Sequence, residues 1–71
     1  MITVTAIKDN EKHLIGICSD ENVARSFVKF FDKELTEDEL EKIMSGFLCK
    51  NIKLDYMPLI DEKFMSVLKG E

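Results

Sequence analysis

The sequence predicts a single α+β domain over residues 1–71, with its elements in the order β-β-α-α-β-α. The expected architecture is a three-stranded, mostly antiparallel sheet packed on two helices, plus a short C-terminal helix. Three observations lead there. Residues 2–8 and 13–18 are short runs rich in β-branched and apolar types, separated by turn chemistry. Two apolar patterns of helical period follow, each opened by capping residues. A third alternating run, 52–57, then precedes a last capped helical stretch. A hydrophobic fraction of 45% with 34% charged residues is the balance of a folded chain, and 71 residues suffice for one small core.

In "ITVTAIK" (2–8) and "HLIGIC" (13–18) the apolar residues are spaced for a hairpin, and "DNEK" supplies its turn. Pairing Asp9 with Lys12 across a two-residue turn sets Ala6 against Ile15, Val4 against Ile17, Thr5 against Gly16 and Thr3 against Cys18. One face then carries Ile2, Val4, Ala6, Ile15 and Ile17, the other Thr3, Thr5, Ile7, Leu14, Gly16 and Cys18. A one-residue slip would mix these sets, so the pattern selects the register. Ser19 is expected to cap the first helix by accepting from the N–H of Asn22, with Asp20 and Glu21 in the first turn, where the dipole favours anions. Val23, Ala24, Phe27, Val28, Phe30 and Phe31 span an apolar arc of ~160°. That is wide for a helix covering one small sheet. Glu21, Arg25 and Lys29 form its polar side at four-residue spacing.

"TEDE" (36–39) reads as a capping box, Thr36 reaching Glu39 and Glu39 reaching back. Leu40, Ile43, Met44, Phe47 and Leu48 follow at helical spacing. Gly46, on the polar side, offers an early end; the periodicity runs on to about Cys49, with Asn51 as a left-handed stop. In "IKLDYM" (52–57) Ile52, Leu54 and Tyr56 alternate with Lys53 and Asp55, the pattern of a half-buried third strand that Pro58 closes. Asp61 then caps a helix carrying Phe64, Met65, Val67 and Leu68, which ends at Gly70.

The net charge of −4 disfavours nucleic acid as a partner. Its location says more. Between residues 32 and 42, Asp32, Glu34, Glu37, Asp38, Glu39 and Glu41 stand against Lys33 and Lys42; six acids less two bases equal the whole net charge, and the other eight acids and eight bases cancel. The expectation is a docking corner, with Glu34, Glu37, Asp38 and Glu41 as its partner-binding residues, for a protein with a basic surface. A thin basic stripe of Arg25, Lys29 and Lys33 on the first helix is the alternative, for a nucleic-acid-associated protein. The helix-turn-helix arrangement that would use it is opposed by the carboxylates at the start of the second helix.

Enzymatic chemistry finds no constellation, and the reading is a non-enzymatic protein without cofactor. Cys18 sits beside a helix start, where thiols can be activated. Asp20 and Glu21 surround it with negative charge, however, and the single His13 lies ~16 Å away along the strand, so Cys18 reads as structural. Two scattered cysteines and one histidine cannot close a tetrahedral metal site. "DKELTE" has Glu37 where a calcium loop needs glycine, and glycines at 16, 46 and 70 alone make no phosphate-cradling loop. No apolar run approaches a membrane span. The opening "ITVTAI" has no basic leader region, so a cytoplasmic protein with free thiols is expected. The surplus of apolar side chains on both hairpin faces and on the first helix leads to the expectation of a homodimer.

The segment "KHLIGICSDENVARSFVKFF" (12–31), with Ile15, Gly16, Ser19 and Ala24 ahead of an apolar helix, resembles a strand-then-helix segment of small proteins of phages, prophages and low-GC bacteria. The Trp-free composition is similar. The resemblance implies no activity; it implies a small modulator or inhibitor of a host protein.

Overall fold

The structure, a computed structural model, describes residues 1–43, 46–53 and 59–70. Its elements are β1 (Ile2–Lys8), β2 (Glu11–Cys18), α1 (Glu21–Phe31), α2 (Glu37–Glu41), β3 (Gly46–Cys49) and α3 (Glu62–Lys69). This is the expected α+β order. The sheet is mixed, in the order β2-β1-β3, with β2 antiparallel and β3 parallel to β1.

The hairpin forms, but not in the expected register. Asp9 and Asn10 both take left-handed conformations (φ 54° and 64°), the signature of a two-residue type I′ turn that matches the twist of its strands. Lys8 therefore lies opposite Glu11, not Asp9 opposite Lys12. Farther along, Leu14 faces Thr5 while Gly16 faces Val4, which leaves Ile15 as a bulge. The extra residue reverses the alternation beyond it. Cys18 comes opposite Ile2 on the core side, and Ile17 opposite Thr3 on the outer side, the reverse of the faces expected for these two. The inner face is thus Val4, Ala6, Ile15 and Cys18, all buried.

One face of this sheet is covered by α1, which touches all three strands. Its buried residues Val23, Ala24, Phe27 and Val28 belong to the expected arc. Phe31 packs against the core, and Phe30 lies edge-on to Phe31, their ring centroids 5.0 Å apart. The cap falls one residue later than expected: Asp20, not Ser19, accepts from the backbone N–H of Asn22 at 2.7 Å and of Val23 at 3.4 Å. A carboxylate there satisfies two orphan donors and also complements the dipole.

The second helix departs most from expectation. Its capping box is present, but it ends at Glu41, and Gly46–Cys49 pairs with β1 as a strand from Thr3↔Gly46 to Ala6↔Cys49. The same apolar spacing serves both: Phe47 and Cys49 point into the core as strand neighbours of Val4 and Ala6, which a helix would not permit. At Gly46 a Cβ would come within 3.1 Å of the Thr3 carbonyl oxygen, so glycine opens the strand where the two backbones approach closely. Asn51 is not the left-handed stop of a helix. Ile52 and Lys53 are irregular, not strand. The remainder of the expected third strand and Pro58 lie outside the described residues, as does Met44.

The last helix forms as expected. Asp61 accepts from the Phe64 N–H at 2.8 Å, and Gly70 (φ 77°) closes the C-terminus. Just before it, Leu59 bridges Ile17 in parallel fashion and the Ile60 N–H donates to the Ile17 carbonyl at 3.1 Å. The α3 helix then packs beside α1, with the Phe64 and Phe27 rings 6.0 Å apart. No described helix is long and apolar enough to cross a membrane.

Glycine adopts left-handed φ without the steric cost that Asn10 carries in its turn. Asn10→Gly is therefore expected to stabilise the protein, by roughly 0.5 kcal/mol, and a urea melt should show the midpoint rising with an unchanged slope.

Candidate functional site

The acidic corner is built by α2 and by the turn that delivers it. Leu35 and Leu40, both buried, pin the segment to the core. Thr36 Oγ1 accepts from the Glu39 N–H at 3.2 Å, and Glu39 Oε1 accepts from the Thr36 N–H at 3.5 Å. The carboxylates that follow are therefore held on a fixed first turn. Glu34, Glu37, Asp38, Glu39 and Glu41 are all exposed.

The structure brings the two candidate sites together. Glu37 turns toward α1, where Arg25 Nη1 stands 3.5 Å from Oε2 and Lys29 Nζ 3.9 Å from Oε1. Arg25 also reaches Glu21 at 3.7 Å, and Lys29 donates to the Leu35 carbonyl. Exposed pairs of this kind contribute little singly, about 0–1 kcal/mol. Together they fasten α2 along one flank of α1, opposite the flank taken by α3. The basic stripe is thereby engaged within the molecule: Arg25 and Lys29 are half-buried, and Lys33 alone of the three is exposed. Of the four acids expected to bind a partner, Glu37 is occupied; Glu34, Asp38 and Glu41 have no ion-pair partner among the described residues.

Asp32, counted with this acidic window in the sequence, belongs elsewhere. It is fully buried (0% exposed) at the C-cap of α1. Its Oδ2 accepts from the Lys50 N–H at 3.3 Å and its Oδ1 from the Asn51 amide at 3.5 Å. The carboxylate ties the end of α1 to the residues just past β3. No local pattern marks this role, since a helix-terminal aspartate amid five other acids reads as surface.

Both thiols are fully buried and unbridged. Cys18 Sγ donates to the Asp20 carbonyl at 3.1 Å, which makes it part of the β2–α1 junction. Burial pushes the Cys49 thiol above the ordinary 9.0; a backbone hydrogen bond with Asn51 draws it partly back, and the neighbouring Asp32 carboxylate raises it further. This opposes thiolate formation, the reverse of what a nucleophile needs. No group of three potential metal ligands converges among the described residues. Between α1 and α3 lies an open groove of about 390 Å³ over Val23 and Met65, rimmed by Asn22, Ser26, Glu62 and Ser66. Its Asp20 carboxylate is already engaged in capping. Compared with protein families, with characterised proteins and with solved structures, the chain matches none of them.

Two expectations follow. Asp32→Ala leaves the part-buried Lys50 N–H and Asn51 amide without this acceptor and should cost about 1–3 kcal/mol, read as a lower urea midpoint, while Asp32→Asn, which retains one acceptor oxygen, should lose less. The thiols should resist a disulfide reagent in the native state and both react on unfolding. Because the folded state raises the Cys49 pKa, the stability gained from holding it neutral is fully present below pH 9 and is lost as pH rises beyond that. A melt series from pH 7 to 10.5 should show the decline, and Cys49→Ser should remove that thiol's share of it.

Proposed function

We propose that the chain is a small non-enzymatic protein-interaction module that docks on the basic surface of a protein partner through Glu34, Asp38 and Glu41, and that it acts as a homodimer. The observation that carries this is the sorting of charge: Glu37 pairs with Arg25 and Lys29 within the fold, while Glu34, Asp38 and Glu41 project from a capped, anchored segment with no ion-pair partner among the described residues. A patch held this way meets a basic surface at little entropic cost and steers its approach over about a Debye length, ~8 Å at physiological salt.

Further support comes from the thiols, whose burial speaks against a nucleophile and whose unbridged state agrees with a cytoplasmic setting. The resemblance of residues 12–31 to phage and prophage proteins extends the proposal to a modulator or inhibitor of a bacterial host protein. The nucleic-acid reading is weakened, since two of its three cations are engaged with Glu21, Glu37 and the Leu35 carbonyl.

The test reverses Glu34, Asp38 and Glu41 to lysine and leaves Glu37 and Glu39, which serve the fold, untouched. Folding should survive with a small loss from the weakened dipole complement, roughly 0.3–1 kcal/mol. A photo-crosslinker at Glu41 in host cells should capture a protein that one at Val67 does not. Association with that protein should slow in the triple variant and, for the wild type, weaken as salt rises. Wild-type retention on heparin at low salt, abolished by neutralising Lys33, would instead favour the basic stripe.

A further inference from the structure

We infer that the outer face of the sheet is the surface on which two copies of this chain meet; the inference deepens the self-association proposed above and rests on it. The strand register decides which side chains stand there. Across the centre run Leu14, Thr5 and Leu48. The next row is Leu59, Ile17, Thr3 and Gly46. Toward the hairpin end Ile7 pairs with Lys12. Leu14 is 47% and Leu59 65% exposed, and Ile7, Ile17 and Leu48 are partly so. No carboxylate stands in these rows, although the chain has fourteen acids. A sheet face left to water ordinarily alternates polar residues outward; this one places β-branched and aliphatic residues there instead.

A second copy is the occupant that fits. Among the described residues this face carries no carboxylate and has Lys12 only at its rim, so it gives a charged partner little to pair with and matches a face equally uncharged. The acidic corner lies on the helix side of the sheet, so copies joined by their outer faces keep their negative charge apart. The shape is also self-complementary. A two-fold axis along β1 lays β2 of each copy over β3 of the other, which brings Leu14 over Leu48 and sets Ile17 and Leu59 above the step left by Gly46. Thr3 and Thr5 then lie near the axis, where their small side chains allow the usual sheet-to-sheet spacing of ~10 Å. The molecule measures 30 × 25 × 23 Å. A face of three strands, one of them four residues long, is small, and two such faces fall at or below the lower bound of a standard interface, ~1,200 Å², so a weak, reversible dimer is expected.

Sedimentation equilibrium of the full chain from micromolar to millimolar concentration tests this. The expected result is a monomer–dimer equilibrium that tightens as salt screens the like net charges, the opposite of the salt response of the acidic corner. Leu14→Glu and Leu59→Glu should each weaken the dimer ~tenfold or more, a loss of about 1.4 kcal/mol or more. Val67→Glu, at a 71% exposed position on α3, should leave it unchanged. Concentration-dependent amide shifts in the unmodified protein, which need no variant to fold, should centre on Thr5, Leu14 and Leu48. A strict monomer at millimolar concentration overturns both this inference and the homodimer, and leaves the acidic corner standing. A dimer broken by Val67→Glu but not by the two leucine variants, or with shifts confined to the helices, overturns the sheet face alone.

Discussion

The fold turns on one buried carboxylate. Asp32 is the only charged residue buried among the described residues, and taking it out of water has a cost that only hydrogen bonding offsets. Its place in the chain explains why it is there. The β2 strand ends beside Ile2; α1 climbs back across the sheet, the α2 segment returns, and β3 runs up beside β1. Asp32 at the end of the first climb and Lys50 and Asn51 at the end of the second must meet, because α1 and β3 cover the same length of the sheet. The carboxylate there accepts from the backbone N–H of Lys50, the first residue past β3. It also stops α1, since its own N–H still bonds back to Val28 at 2.7 Å while its side chain turns toward β3. One residue thereby ends a helix and fixes a parallel edge strand only four residues long.

A second constraint follows from the width of the α1 arc. An apolar arc ~160° wide is more than a sheet alone can cover, and Phe30 at its edge stays 39% exposed. The structure answers with α3 on one flank, through Phe64 against Phe27, and α2 on the other, through Glu37 against Arg25 and Lys29. The apolar flank is thus closed by aromatic packing and the polar flank by charge. This is why the acidic window and the basic stripe, separate in the sequence, are neighbours in space. The five-residue α2 has too few turns to be stable alone, so its opposite charges and the anchors Leu35 and Leu40 complete it.

What could be read from the sequence was local chemistry. Capping residues revealed the starts of α2 and α3, since Thr36, Glu39 and Asp61 act within three residues of themselves. The core face of α1 was legible for the same reason. What escaped depends on distance. The spacing of Leu40, Ile43, Phe47 and Leu48 suits a helix as well as a turn followed by a strand, and only the β1 edge, 43 residues before its β3 partners, decides between them. The Ile15 bulge has no sequence mark, yet it determines which of Ile17 and Cys18 enters the core. For the candidate corner, the exposed acids were legible as a charge excess. The inward turn of Glu37 and the burial of Asp32 were not, because each depends on partners eight to nineteen residues away in the chain.

These constraints together divide the surface into two kinds. On the helix side, polar positions are settled by charge: ion pairs where α2 meets α1, and beyond them carboxylates with no ion-pair partner among the described residues. On the sheet side they are settled by strand alternation, and the outward positions of β1 are Thr3, Thr5 and Ile7, not lysine or glutamate. Nothing in folding a monomer calls for that choice, since β-branched residues and charges can both sit on a solvated strand face, and charge is the usual protection against unwanted sheet contacts. The two sides also respond oppositely to ionic strength. Screening weakens attraction between the carboxylates and a basic surface, and it lessens repulsion between two copies of net charge −4. The two surfaces proposed above would therefore not compete, because the sheet stands between them and different forces would govern each.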